Sequence, residues 1–118
     1  MPRFVLLLHA LPDGTSHYDL LIGRGEALAA WRLPAPLTGL PPEGAEAVRL
    51  ADHRTLYLTY EGEVSGGRGT VRRVDAGTCA VEAWGDDRVA VRLDGASARG
   101  LLELAAQPGG AWRARLLA

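Results

Sequence analysis

The chain has 118 residues, a formal net charge of −1, 47% hydrophobic residues and 23% charged ones. That suffices for one domain with a modest core, is too apolar for a disordered segment, and is too neutral to coat nucleic acid through a global positive field. All 13 basic residues are arginine, which reads first as compositional bias and second as a supply of guanidinium forks suited to phosphate.

Gly and Pro punctuate the chain, and the pieces between them are short and β-like. Arg3 to His9 is apolar on both parities, as in a strand covered on both faces. Leu11 to Ser16 is turn chemistry. His17 to Ile22 resumes a strand, and Gly23-Arg24-Gly25 breaks it. Glu26 to Leu33 continues with a composition that also allows a helical turn. Pro34 to Gly44 reads as a surface loop. Leu56 to Tyr60, Gly69 to Asp75, Thr78 to Trp84 and Arg88 to Leu93 read as further strands, the last strictly alternating. Ser65 to Gly69 reads as a hairpin loop with room for a phosphate contact. Asp94-Gly95 and Gly109-Gly110 are turns, and Leu101 to Ala105 and Ala111 to Leu117 close the chain. About eight to ten short strands at regular spacing predict an all-β protein. The expected form is a small closed or nearly closed antiparallel β-barrel of about eight strands with short loops, spanning 1–118 as a single domain.

Trp31, Trp84 and Trp112 are expected to plug the core or the barrel ends, and Cys79 to be a buried structural thiol. A lone cysteine permits no internal disulfide, and no apolar run is long enough for a signal peptide or a membrane span. The expectation is a cytoplasmic monomer without a membrane partner.

Histidine is scarce: His9, His17 and His53 are the whole supply. On a strand, His17, Asp19 and Leu21 share one face, and Tyr18, Leu20 and Ile22 share the other. His-x-Asp therefore delivers an imidazole nitrogen and a carboxylate oxygen side by side. His9, on a strand running back beside His17 through the Asp13-Gly14 turn, supplies a third ligand. Two imidazoles and one carboxylate suit Mn, Fe or Zn and leave coordination positions open. From the residues alone two other readings stay open. One is a surface hydrogen-bonded pair. The other is an oxygenase-type facial triad of His17, Asp19 and His53, which calls for a larger sheet than this length supplies.

The stretches HALPDGTSHYDLLIG, AAWRLP, LADHRTLYLTYEGEV, GRGTVRRVDAGT and VRLDGASARGLLELA occur in this order. Together they resemble the 3′-phosphoesterase module of the bacterial multifunctional repair ligase, ligase D, and its free-standing relatives. The likeness runs from Phe4 to Leu104. It implies a β-barrel that binds a divalent metal, manganese foremost with zinc or cobalt as alternatives. It implies trimming of nucleic acid 3′ ends in DNA repair, with removal of a terminal ribonucleoside and then of the 3′-phosphate. The resemblance places metal ligands at His9, His17 and Asp19, and a catalytic pair at His53 and Tyr57. Nucleic acid 3′ ends are the implied partner, with a separate ligase or polymerase beside it.

Two positions depart from the family pattern. Where the family has a phosphate-gripping Arg this chain has Leu21, and where it has a Gln this chain has Leu7. Arg54, beside His53, and Arg68, in the glycine loop, are then the candidate phosphate-binding residues. The departures also support a second expectation, a non-catalytic metal- or phosphate-binding module of the same fold.

Overall fold

Strands account for most of residues 2–117, which are the residues described by the structure, a computed structural model. In chain order they are β1 (Arg3–Ala10), β2 (Ser16–Arg24), β3 (Ala27–Leu33), β4 (Ala45–Arg54), β5 (Gly62–Glu63), β6 (Thr70–Trp84), β7 (Arg88–Gly95), β8 (Arg99–Ala106) and β9 (Trp112–Leu117). Every pairing is antiparallel. The strand order is β1-β2-β3-β4-β9-β8-β7-β6-β5, and a further β1–β6 ladder closes the ring. Eight strands thus form a closed barrel, with the two-residue β5 attached to the start of β6. Closure removes the open edges that a flat sheet would expose. The regular strand spacing and the closed all-β barrel agree.

Alternation sorts side chains into two layers. Phe4, Leu6, Leu20, Ile22, Val91 and Leu102 point into the barrel. Trp31 packs there edge-on against Trp84 and Trp112, with ring centroids 6.0 and 5.7 Å apart. Cys79 lies in the same core, where burial pushes its thiol pKa up and keeps it protonated and unreactive.

The outer faces of β1 to β3 are covered as well. Val5, Leu7, Leu21, Leu28, Ala30 and Val71 form a second apolar cluster. Its cover is the crossover from β4 to β6, which lays Tyr57, Leu58, Tyr60 and Val64 over it. Burial on both sides is why β1 is apolar on both parities.

Several sequence expectations are corrected here. Leu56 to Tyr60 is not a strand. Thr55–Leu58 is a 3₁₀ turn, and the amides of Thr59 and Tyr60 donate to the Leu56 carbonyl at 3.2 and 3.0 Å. Its Leu and Tyr residues serve the crossover lid, so packing overrides β-propensity. The strand lies just before it, at β4, where alanines and exposed polar residues blur the alternation. The expected strands Gly69 to Asp75 and Thr78 to Trp84 merge into one, β6, which starts at Thr70. Gly77 sits mid-strand because β6 passes so close to β7 that a Cβ there would run into the Asp94 carbonyl. Glu26 lies in the turn after β2 and Ala27 to Leu33 resolves as β3 with no helical turn, while Asp94-Gly95 is still strand, its turn falling at 96–98.

Asp75 is the other buried acid besides Asp19, and it fastens that turn. Its Oδ1 accepts from the Ala76 and Ser97 amides at 2.9 and 3.0 Å, and Oδ2 accepts from the Ala98 amide at 2.8 Å. Asp75→Asn replaces one acceptor oxygen by a donor that faces an amide donor. The expected loss is about 2 kcal/mol of stability, read as a lower urea midpoint at unchanged slope.

Candidate metal centre

The β1–β2 register sets His9 opposite His17 and Leu7 opposite Asp19. Alternation then puts both imidazoles and the carboxylate on the outer face, and the two rings stand 4.9 Å apart edge-on. The ligand atoms of His9, His17 and Asp19 all lie within 4.8 Å of one another. Asp19 is bracketed: Oδ2 lies 3.3 Å from His9 Nδ1, and Oδ1 lies 3.2 Å from His17 Nε2. The His17 and Asp19 side chains are 11% and 5% exposed.

The glycine loop orients His9. The Arg68 carbonyl accepts from His9 Nε2 at 2.7 Å. A carbonyl can only accept, so Nε2 carries a proton, and in the neutral tautomer with that proton the Nδ1 lone pair is on the Asp19 side. At the other side, His17 Nε2 and Asp19 Oδ1 are buried and make no hydrogen bond, although they face each other. Buried polar atoms left in that state are costly unless a cation or proton stands between them. Two imidazoles and a carboxylate match the donors that divalent Mn, Fe or Zn takes. The residues present therefore fit a metal ion.

The triad borders a cleft of about 500 Å³. His9 and Asp19 line it together with His53, Tyr57, Arg32, Arg54 and Arg68. His17 stands at Asp19, outside the lining itself. His53 reaches the cleft through an irregularity in the β3–β4 ladder. Ala30 pairs with Leu50 but Leu28 pairs with His53, so β4 carries an extra residue there. Strict alternation from Ala47, which faces the barrel core, would have turned His53 inward. The bulge turns it to the outer face. His53 Nδ1 donates to the Ala51 carbonyl at 2.9 Å, which leaves Nε2 for the cleft. The Tyr57 ring stands edge-on at 5.9 Å from it. Metal-type donors thus border the same cavity as an imidazole and a phenol suited to proton transfer or anion contact.

Residues 9–105 match the family model of the DNA ligase D 3′-phosphoesterase domain. The chain belongs to that family. A search of the curated proteins found no match. The matched span starts at the first histidine and contains every residue of the cleft except Leu7.

This 3′-phosphoesterase-type module brings the sequence-predicted residues to one place: His9, Asp19, His53, Tyr57, Arg54 and Arg68 line the cleft, and His17 adjoins it. Leu7 lines the cleft and Leu21 is buried in the cluster beneath, so neither offers a donor. Arg68 is engaged within its own loop, its Nε donating to the Ser65 carbonyl at 2.7 Å. Sequence reasoning missed Arg32 and Asp52, both of which line the cleft. Arg32 was findable: a tight turn at Gly25 sets it opposite Asp19 across β2 and β3. Among the described residues no helix is long and apolar enough to cross a membrane.

Burial pushes the His17 pKa below its ordinary value. Asp19 opposes that shift, while Arg32 and His9 add to it. A depressed imidazole keeps its lone pair at mildly acidic pH. The unfolded chain protonates first as pH falls through about 6.5, so it then binds more protons than the folded one. In metal-free protein, stability is expected to be full above that pH and to fall below it. The urea midpoint of wild type should drop from pH 7.5 to pH 5.5 more than that of His17→Gln.

Proposed function

We propose that this protein is a metal-dependent phosphoesterase that processes the 3′ termini of nucleic acids in repair, removing a 3′-phosphate or a terminal ribonucleoside. The observation that carries the reading is the convergence of His9, His17 and Asp19, with two buried atoms lacking partners, at the cleft that holds His53 and Tyr57. Membership in the 3′-phosphoesterase family supports the choice of substrate.

In this reading His9 Nδ1, His17 Nε2 and an Asp19 oxygen hold the ion, with manganese foremost and zinc or cobalt as alternatives. Bound there, a divalent ion supplies Lewis-acid polarisation of a phosphoryl oxygen and neutralises its charge. Arg68 holds His9 in the tautomer that presents Nδ1, through its backbone carbonyl. His53, anchored at Nδ1, presents Nε2 to the phosphoryl group or the leaving oxygen. Tyr57 orients the phosphate as a hydroxyl donor. Arg54 stands at the end of β4 as a second cation at the cleft.

The test is a 3′-phosphate-ended primer incubated with the protein and Mn²⁺. Release of inorganic phosphate that chelator stops, and that His53→Ala lacks, is the expected result. The aliphatic Leu7 and Leu21 favour one alternative, a binding module without turnover. That alternative predicts Mn²⁺-dependent retention of the phosphorylated primer with no phosphate released.

A further inference from the structure

Three arginines line the cleft, and they are not equivalent. Arg68 holds Ser65 through Nε and Nη2, at 2.7 Å to its carbonyl and 3.2 Å to its Oγ. Arg54 is the last residue of β4, paired with Ala27 at the start of β3. Arg32 stands directly opposite Asp19 in the β2–β3 register, on the outer face with Leu28 and Ala30.

The state of Arg32 is unusual for a cation beside a buried acid. Asp19 turns its two oxygens to His9 and His17, not to Arg32. Asp52, the other acid of the lining, faces Arg49 at 3.5 Å. Among the described residues, Arg32 makes no hydrogen bond through its side chain and no ion pair. An exposed guanidinium therefore keeps its whole set of donors for something outside the protein. The cleft floor adds no competing donor, because Leu7 and Leu21 are aliphatic and buried.

We propose that Arg32 is the phosphate-gripping residue of this cleft, closing a two-pronged contact on the terminal phosphoryl oxygens from the β3 wall. This rests on the phosphoesterase reading and deepens it. A planar fork matches two phosphate oxygens at once, which a lone ammonium cannot do. The position also suits the chemistry: the anion would lie between the metal-type donors of β1 and β2 and the His53 side of the cleft.

The experiment compares wild type with Arg32→Ala, Arg32→Lys and Arg72→Ala, the last an exposed arginine outside the cleft lining. On Mn²⁺-loaded protein, the dissociation constant of inorganic phosphate is measured, and separately that of Mn²⁺ itself. KM for the 3′-phosphate-ended primer is the third readout. Arg32→Ala is expected to weaken phosphate and raise KM by about 10- to 100-fold, with Lys restoring only part. Mn²⁺ affinity should stay within about threefold, and Arg72→Ala should behave as wild type. Equal phosphate affinity in wild type and Arg32→Ala overturns the proposal, as does a wild type that binds no phosphate. Phosphate binding decides the role of Arg32 even if the primer is never turned over, so the two readings fail separately.

Discussion

His17→Ala is expected to remove Mn²⁺-dependent phosphate release from a 3′-phosphate-ended primer, by about 10³-fold or more in kcat/KM. Changing a group that merely orients a ligand costs about 10- to 100-fold in metal affinity or activity, and His17 is a direct donor in the proposed set. Its Nε2 is buried 3.2 Å from Asp19 Oδ1 with no hydrogen bond to replace it. The remaining pair, His9 and Asp19, gives two donors where a resident metal needs three. Thermal unfolding separates this from simple damage. An ion at one hundred times its dissociation constant stabilises the fold by about 2.7 kcal/mol. Wild type should therefore melt higher with Mn²⁺ than with chelator, and His17→Ala should show no such gain. His53→Ala should keep the gain and lose turnover, because its imidazole is anchored on β4 and is not one of the three clustered donors. A His17→Ala protein that still responds to Mn²⁺ and still releases phosphate would remove the basis for placing the metal here.

The triad was legible in the sequence because three rules act on it in series. A tight Asp13-Gly14 turn joins two strands, alternation selects one face, and scarcity leaves few histidines to assign. The antiparallel register then sets His9 beside His17, and Asp19 one step along. His53 and Tyr57 were legible only through resemblance. Alternation along β4 would have turned His53 inward, and the bulge between the Leu50 and His53 pairings cannot be read from residue types. Tyr57 lies on a 3₁₀ turn in a segment whose composition reads as strand, and packing against the second cluster decides its shape. Arg32 was findable only by pairing β2 with β3 through the Gly25 turn. Its neighbours spell a buried strand, and its meaning comes from what stands across the sheet rather than beside it in the chain.

Gly69→Ala is expected to cost about 3 kcal/mol, lowering the melting temperature by roughly 10 °C, and to weaken Mn²⁺ binding by about tenfold. Two causes act together on stability. Gly69 has φ +91°, a conformation L residues rarely adopt. Its missing Cβ also leaves room for β1: an added one would run into the Ala10 carbonyl and lie 3.1 Å from the Leu11 Cα. These are backbone atoms, so relief requires the loop or the strand to move. Either movement displaces the peptide that carries the Arg68 carbonyl, which fixes the His9 ring at 2.7 Å. Stability and metal affinity are thereby coupled through one residue that touches no ligand. Gly67→Ala is the matched control, with φ +66° and nothing within 4 Å of its added Cβ. Strain alone should cost about 1 kcal/mol there and leave Mn²⁺ affinity as in wild type. If the two variants melted together and bound Mn²⁺ alike, the loop would be a passive hairpin. If Gly69→Ala alone loses metal, the glycine at the base of the loop exists to let β1 approach closely enough for a carbonyl to aim an imidazole.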